Sequence, residues 1–122
     1  MKVDVSAPNE PSNIQDVEIR TIYDLLDLIR LRPGMWIGEP SVVRLRAFID
    51  GFRTGVRVAD YALKAESPPF QQFHDWVAVR HDGRRSNGRG WPEVLLEATG
   101  GDEAAFDRFW TELDAFRASS GT

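Results

Sequence analysis

The sequence predicts an all-α fold, a compact single-domain bundle of about five helices behind a flexible N-terminal arm. Three observations carry that expectation. Apolar residues recur at helical spacing in five separate segments, prolines and glycines punctuate the stretches between them, and 122 residues suit a single core.

Residues 1–19 contain Ser6, Pro8, Asn9, Pro11, Ser12 and Asn13 without a sustained period, which reads as a mobile or loosely docked arm with room for a short strand at 3–5. The folded domain is expected over 20–118. Its first helix carries Ile22, Leu25, Leu26 and Ile29 on one face, and Thr21 with Asp24 has the form of a capping box. Pro33 ends it by biasing Arg32 away from helical geometry. Pro33-Gly34 then suits the centre of a type II turn, followed by an extended run through Met35, Trp36 and Ile37.

Ser41 is placed to cap a long second helix whose buried stripe runs from Val42, Leu45, Ile49 and Phe52 to Val56, Ala59 and Leu63. Gly51 and Gly55 interrupt it and suggest a kink or a close helix crossing. Pro69 opens a short aromatic third helix with Phe70, Phe73, Trp76 and Val77. Residues 81–90, with three glycines and no aliphatic side chain, read as an exposed loop. Trp91-Pro92 begins a fourth helix with Val94, Leu95 and Leu96, and Gly100-Gly101 ends it. Asp102 is expected to cap the fifth, in which Phe106, Phe109, Trp110, Leu113 and Phe116 oppose a wet face of Glu103, Asp107, Glu112 and Asp114.

The chain has no cysteine, so disulfides, thiolate metal ligands and a cysteine nucleophile are excluded, and stability must come from packing. The N-terminal stretch does not read as a secretory signal and no segment reads as a membrane span, so a cytoplasmic location is expected. A net charge of −4 disfavours binding to a phosphate backbone unless a local patch overrides it. Charge is uneven: four arginines and one aspartate lie between Arg80 and Arg89, whereas seven acids and one arginine lie from Glu93 to Asp114.

The most distinctive segment is Arg30-Leu31-Arg32-Pro33-Gly34-Met35-Trp36-Ile37-Gly38. Over about a dozen residues it resembles the start of the ATPase domain of type II topoisomerase B subunits, with Trp36 in place of a tyrosine. That family requires a glutamate base and a magnesium-binding asparagine on the next helix, yet 42–56 contains neither residue type. The nucleotide motif Asp-x-Gly-x-Gly is absent as well. ATP hydrolysis is therefore not implied, and a shared turn accounts for the match.

A wider resemblance, across most of 20–117, is to a family of small uncharacterised bacterial proteins. It rests on that motif, on Phe70, Phe73, Trp76 and Val77, and on Gly90-Trp91 before Leu95-Leu96-Glu97. Some members accompany polymorphic toxin systems, which implies an immunity or other protein-binding role and assigns no reaction.

Read as chemistry, Arg30 and Arg32 could flank the turn as a carboxylate clamp, with Pro33, Gly34, Met35, Trp36 and Gly38 completing a binding site. The plainer reading makes Met35, Trp36 and Ile37 a plug at the end of the bundle. His74-Asp75 adjoin on one helix, but neighbouring helical residues do not face each other. His81, seven residues on, returns to the face of His74 if the helix persists, and Asp75 or Asp82 would then be near. Two histidines without a recognised ligand spacing do not make a metal site, so no metal and no cofactor is expected.

Arg84, Arg85 and Arg89 beside Trp91 could engage single-stranded nucleic acid or an acidic protein, and the acids of the fifth helix could cover the basic groove of a nuclease toxin. The expected function is a non-enzymatic protein-binding module, an immunity protein in its finer form, with a protein partner. The alternative is a small hydrolase or nucleic-acid-processing or nucleic-acid-binding protein that uses His74, His81 and the Arg80–Arg89 loop.

Overall fold

The computed structural model describes residues 1–4, 16–82 and 90–119. Strands β1 (Lys2–Asp4) and β2 (Asp16–Glu18) precede helices α1 (Ile22–Leu31), α2 (Pro33–Ile37) and α3 (Val42–Val58). A 3-10 turn at Phe70–Gln72 leads into α4 (Phe73–Asp82), followed by α5 (Trp91–Thr99) and α6 (Asp102–Ser119). The fold is an all-α bundle with a small two-stranded sheet at one edge. Among the described residues no helix is long and apolar enough to cross a membrane.

The two ends of the expected arm are ordered. Lys2, Val3 and Asp4 pair antiparallel with Glu18, Val17 and Asp16, and Ile19 is buried in the core while its N–H donates to Met1 O. Residues 5–15 lie outside the described ones. At the start of α1, one Asp24 carboxylate oxygen accepts from the N–H groups of Arg20 (2.7 Å) and Thr21 (3.1 Å), so the acidic member of the expected capping box closes the N-terminus.

The connector after α1 differs from expectation. Arg32 does leave helical geometry, at φ −142° and ψ 68°, as a residue before proline should. Pro33, however, opens α2 instead of a type II turn, because the first helical position needs no N–H and matches the ring's preset φ. Met35 and Trp36 are thereby helical, not extended. Gly38 ends α2 at φ +87°, and Arg44 Nη1 donates to Ile37 O at 3.1 Å, placing a cation on the last carbonyls.

Two side chains from different places close the N-terminus of α3. Ser41 Oγ accepts from Arg44 N–H at 3.1 Å, as its sequence position suggested. Asp102, expected to cap its own helix, instead accepts from Val42 N–H at 2.8 Å and joins α6 to α3. The α3 helix also stops sooner than its apolar stripe predicted: Asp60 turns to φ 54°, and Leu63 packs against the core from an irregular segment.

The core is aromatic where α4, α5 and α6 meet. Phe73 is fully buried, its ring 5.4 Å from Phe70 and Phe109, 5.3 Å from Phe116 and 5.9 Å from Trp91 by centroid. Most of these contacts are edge-to-face, the arrangement that the ring quadrupoles favour. Tyr23 reaches from α1 to donate its hydroxyl to Pro68 O, and burial pushes that hydroxyl's pKa up to about 12.

The glycines divide by what surrounds them. A Cβ on Gly38 would sit 2.6 Å from Arg44 Nη1 on a backbone with positive φ, whereas a Cβ on Gly51 or Gly55 would meet nothing within 4 Å. Gly38→Ala is therefore expected to destabilise by about 1–2 kcal/mol. Gly51→Ala should stabilise by about 0.5–1 kcal/mol, since it only restores helix propensity. Urea denaturation midpoints check both, and opposite signs are the expected result.

Candidate functional site

The residues singled out in the sequence are distributed over three places. The first is the corner between α1 and α2. Arg30 is not an open clamp: its guanidinium makes a bidentate pair with Asp114 on α6, at 2.8 and 2.9 Å, and stands 5.6 Å above the Trp110 ring. That carboxylate raises the Arg30 pKa further and keeps it charged. Arg117 mirrors the arrangement, pairing with Asp27 at 2.7 Å over the Tyr23 ring. Both pairs are half-exposed, so each contributes within about 0–1 kcal/mol.

Arg32 and Gly34 are exposed at this corner and Pro33 is half-buried. Ile37 is buried and Trp36 is partly buried, edge-on to Phe48 at 6.1 Å, so these two do close the end of the bundle. Met35 does not. It is 43% exposed, and Leu31, one residue before the break in the helix, is 79% exposed. The corner thus presents two large apolar side chains, Leu31 from the end of α1 and Met35 from the five-residue α2 that Gly38 ends.

The second place is the start of α5. His74 Nδ1 accepts the Trp91 backbone N–H at 2.9 Å, satisfying one of the donors that a helix N-terminus leaves open. Burial lowers the His74 pKa, and Arg46 lowers it further, against the opposing pull of Glu93, Asp50 and Asp75. Asp75 is exposed on α4. Trp91 is only 1% exposed, with its ring against Phe109 at 4.6 Å, so it cannot stack on a nucleic-acid base as proposed from the sequence. Arg84, Arg85 and Arg89 lie outside the described residues.

The third place was not visible as a site in the sequence. Glu112, assigned there to the wet face of its helix, is 3% exposed. Its carboxylate accepts from Arg80 Nε at 2.5 Å and lies 3.5 Å from His81 Nε2. The Arg80 guanidinium also covers the Trp76 ring at 5.4 Å. The spacing held the clue, because 112 is three residues after Phe109 and four before Phe116, which puts it on the buried stripe. The two histidines therefore stand apart: His74 accepts from the start of α5, and His81 lies near Glu112 without a hydrogen bond to it. Among the described residues no group of three or more His, Asp or Glu side chains is arranged to hold a metal ion.

The acidic face of α6 is also partly consumed within the fold. Asp102 caps α3, Glu112 pairs with Arg80 and Asp114 pairs with Arg30, while Glu103 and Asp107 remain exposed. Alongside α4 and α6, an open groove of about 690 Å³ is lined by Trp76, Val79, Arg80 and Phe116, among others. Comparisons with protein-family models, with curated proteins and with solved structures give no match to this chain.

Proposed function

We propose that this chain is a non-catalytic protein-binding module whose contact surface is the corner between α1 and α2. The observation that carries the reading is the exposure of Leu31, at 79%, as the last residue of α1 and of Met35, at 43%, on the short α2 between Arg32 and Gly38. Large apolar side chains presented to water at a helix corner suit burial against a partner, and methionine adapts its shape to an apolar surface. The polar candidates favour the same reading, because Arg30, His74 and Glu112 each serve a partner within the fold.

In its finer form the module is an immunity protein acting in a bacterial cytoplasm, where it occludes a cognate toxin. The motif-level resemblance supports that form. Charge complementarity supports it less than the sequence suggested, since three of the α6 acids are engaged internally.

The test is affinity capture of the tagged chain from its native host, with partners identified by mass spectrometry, comparing wild type with the double variant L31E/M35E. The expected result is a stoichiometric protein partner whose binding weakens tenfold or more, by about 1.4 kcal/mol at least, in a variant with an unchanged helical spectrum. A partner held equally well by the variant would remove the corner from the interface. For the immunity form, expression of the chain should restore growth to cells making the toxin, and L31E/M35E should withhold that rescue.

A further inference from the structure

A helix N-terminus is usually closed by serine, threonine, aspartate or asparagine, whose oxygens accept hydrogen bonds across the physiological pH range. Here a ring nitrogen does that work. His74 Nδ1 lies 2.9 Å from Trp91 N and accepts its N–H, so Nδ1 carries no proton and the neutral ring is protonated on Nε2. An imidazolium has no acceptor at all. Once the ring takes up a proton from solvent, two N–H groups confront each other where one hydrogen bond had been.

The Trp91 side chain is anchored in the core, so the backbone N–H cannot readily turn away. The imidazole, half-buried at the edge of α4, is the group that can move. We infer that His74 is a pH-operated latch, holding the first turn of α5 to α4 while neutral and releasing the Trp91 amide when protonated.

The charged groups around the ring come from three helices: Arg46 and Asp50 on α3, Asp75 on α4 and Glu93 on α5. Arg46 is tied to Asp50 at 3.1 Å and reaches the backbone at Gly90, immediately before Trp91, so a cation already stands beside the latch. The three carboxylates supply the alternative partner toward which a released imidazolium turns. Burial and Arg46 prevail over them, and the ring's pKa is held below its ordinary value. The linkage has a definite sign. Stability from a neutral His74 is fully present above about pH 6.5, the ordinary histidine value, and is lost as pH falls through the lower folded value. The latch stands independently of the binding surface at the α1–α2 corner.

The test is NMR on the intact chain between about pH 8 and pH 5. Ring ¹⁵N shifts report the His74 tautomer, and hydrogen exchange reports protection of the Trp91 amide after correction for intrinsic rates. The expected results are an Nε2–H tautomer at high pH and about a fivefold loss of Trp91 protection as His74 protonates. His74→Asn places a non-titrating oxygen where Nδ1 was and should hold protection across the range, while His81→Asn should titrate like wild type. An Nδ1–H tautomer, Trp91 protection that ignores His74 protonation, or an unchanged acid response in His74→Asn would each overturn the latch. Should His74→Asn fail to fold, the tautomer and the wild-type titration decide it.

Discussion

Phe73→Ala is expected to lower the unfolding free energy by about 3–5 kcal/mol, the largest single-residue loss anticipated for this chain. The ring is fully buried and touches aromatic partners from three directions: Phe70 before α4, Trp91 on α5, and Phe109 and Phe116 on α6. Truncation removes the transfer energy of the ring and leaves a cavity bounded by rigid neighbours, which cannot collapse as a cluster of aliphatic side chains could. Since small domains are stable by only about 5–15 kcal/mol, a large share of the fold's margin is at stake. Urea denaturation followed by circular dichroism measures the loss. A loss below about 1 kcal/mol would mean that the rings are not packed around Phe73 as described. Phe73→Leu, which keeps most of the volume, should cost clearly less.

The second expectation concerns the pair that joins α4 to α6. Arg80→Ala should destabilise by about 1–3 kcal/mol, because it leaves the Glu112 carboxylate buried without its strongest donor. The figure is held to that range because Arg80 itself is 45% exposed and water screens its side of the pair. Glu112→Met in the Arg80→Met background should recover part of the loss, since an apolar pair of similar length needs no counter-charge. A double-mutant cycle on denaturation midpoints separates the coupling from the lost packing of Arg80 on Trp76. Additive single and double variants would show that the ion pair contributes nothing beyond its aliphatic contacts. His81 Nε2, 3.5 Å from the same carboxylate, makes no hydrogen bond to it, so Arg80 remains the donor whose loss counts.

Much of the architecture was legible because it depends on local rules. The stripe of Phe106, Phe109, Trp110, Leu113 and Phe116 lies wholly in the core, and Gly100, at φ +81°, ends α5 in the left-handed conformation that the Gly-Gly step suggested. Ser41 caps α3 from its expected place. The errors arose where one local signal admitted two outcomes. Pro33 can stand at the second position of a turn or the first of a helix, and only the packing of Ile37 and Trp36 against the bundle chose the helix. Asp102 could have closed its own helix, yet the proximity of α3 gave it a nearer donor.

The candidate site was legible in location and less so in use. The Arg30–Gly38 segment is indeed set apart by its backbone, but Arg30 is engaged by Asp114 at the surface and the exposed large apolar groups are Leu31 and Met35. Trp91 looked like the aromatic partner of a basic loop, and its burial became visible only once three helices met around it. Sequence spacing states which residues share a face of a helix; it does not state which face another helix will cover.

By itself, then, the order of residues determined the helical class, most helix ends and the apolar stripes, since propensity, capping and periodicity act within a few positions along the chain. Tertiary structure alone decided that Glu112 pairs with Arg80, that Asp102 serves α3 and that an imidazole closes α5. Each of these joins groups between 17 and 60 residues apart, and their partnership follows from how helices pack, which no local pattern encodes.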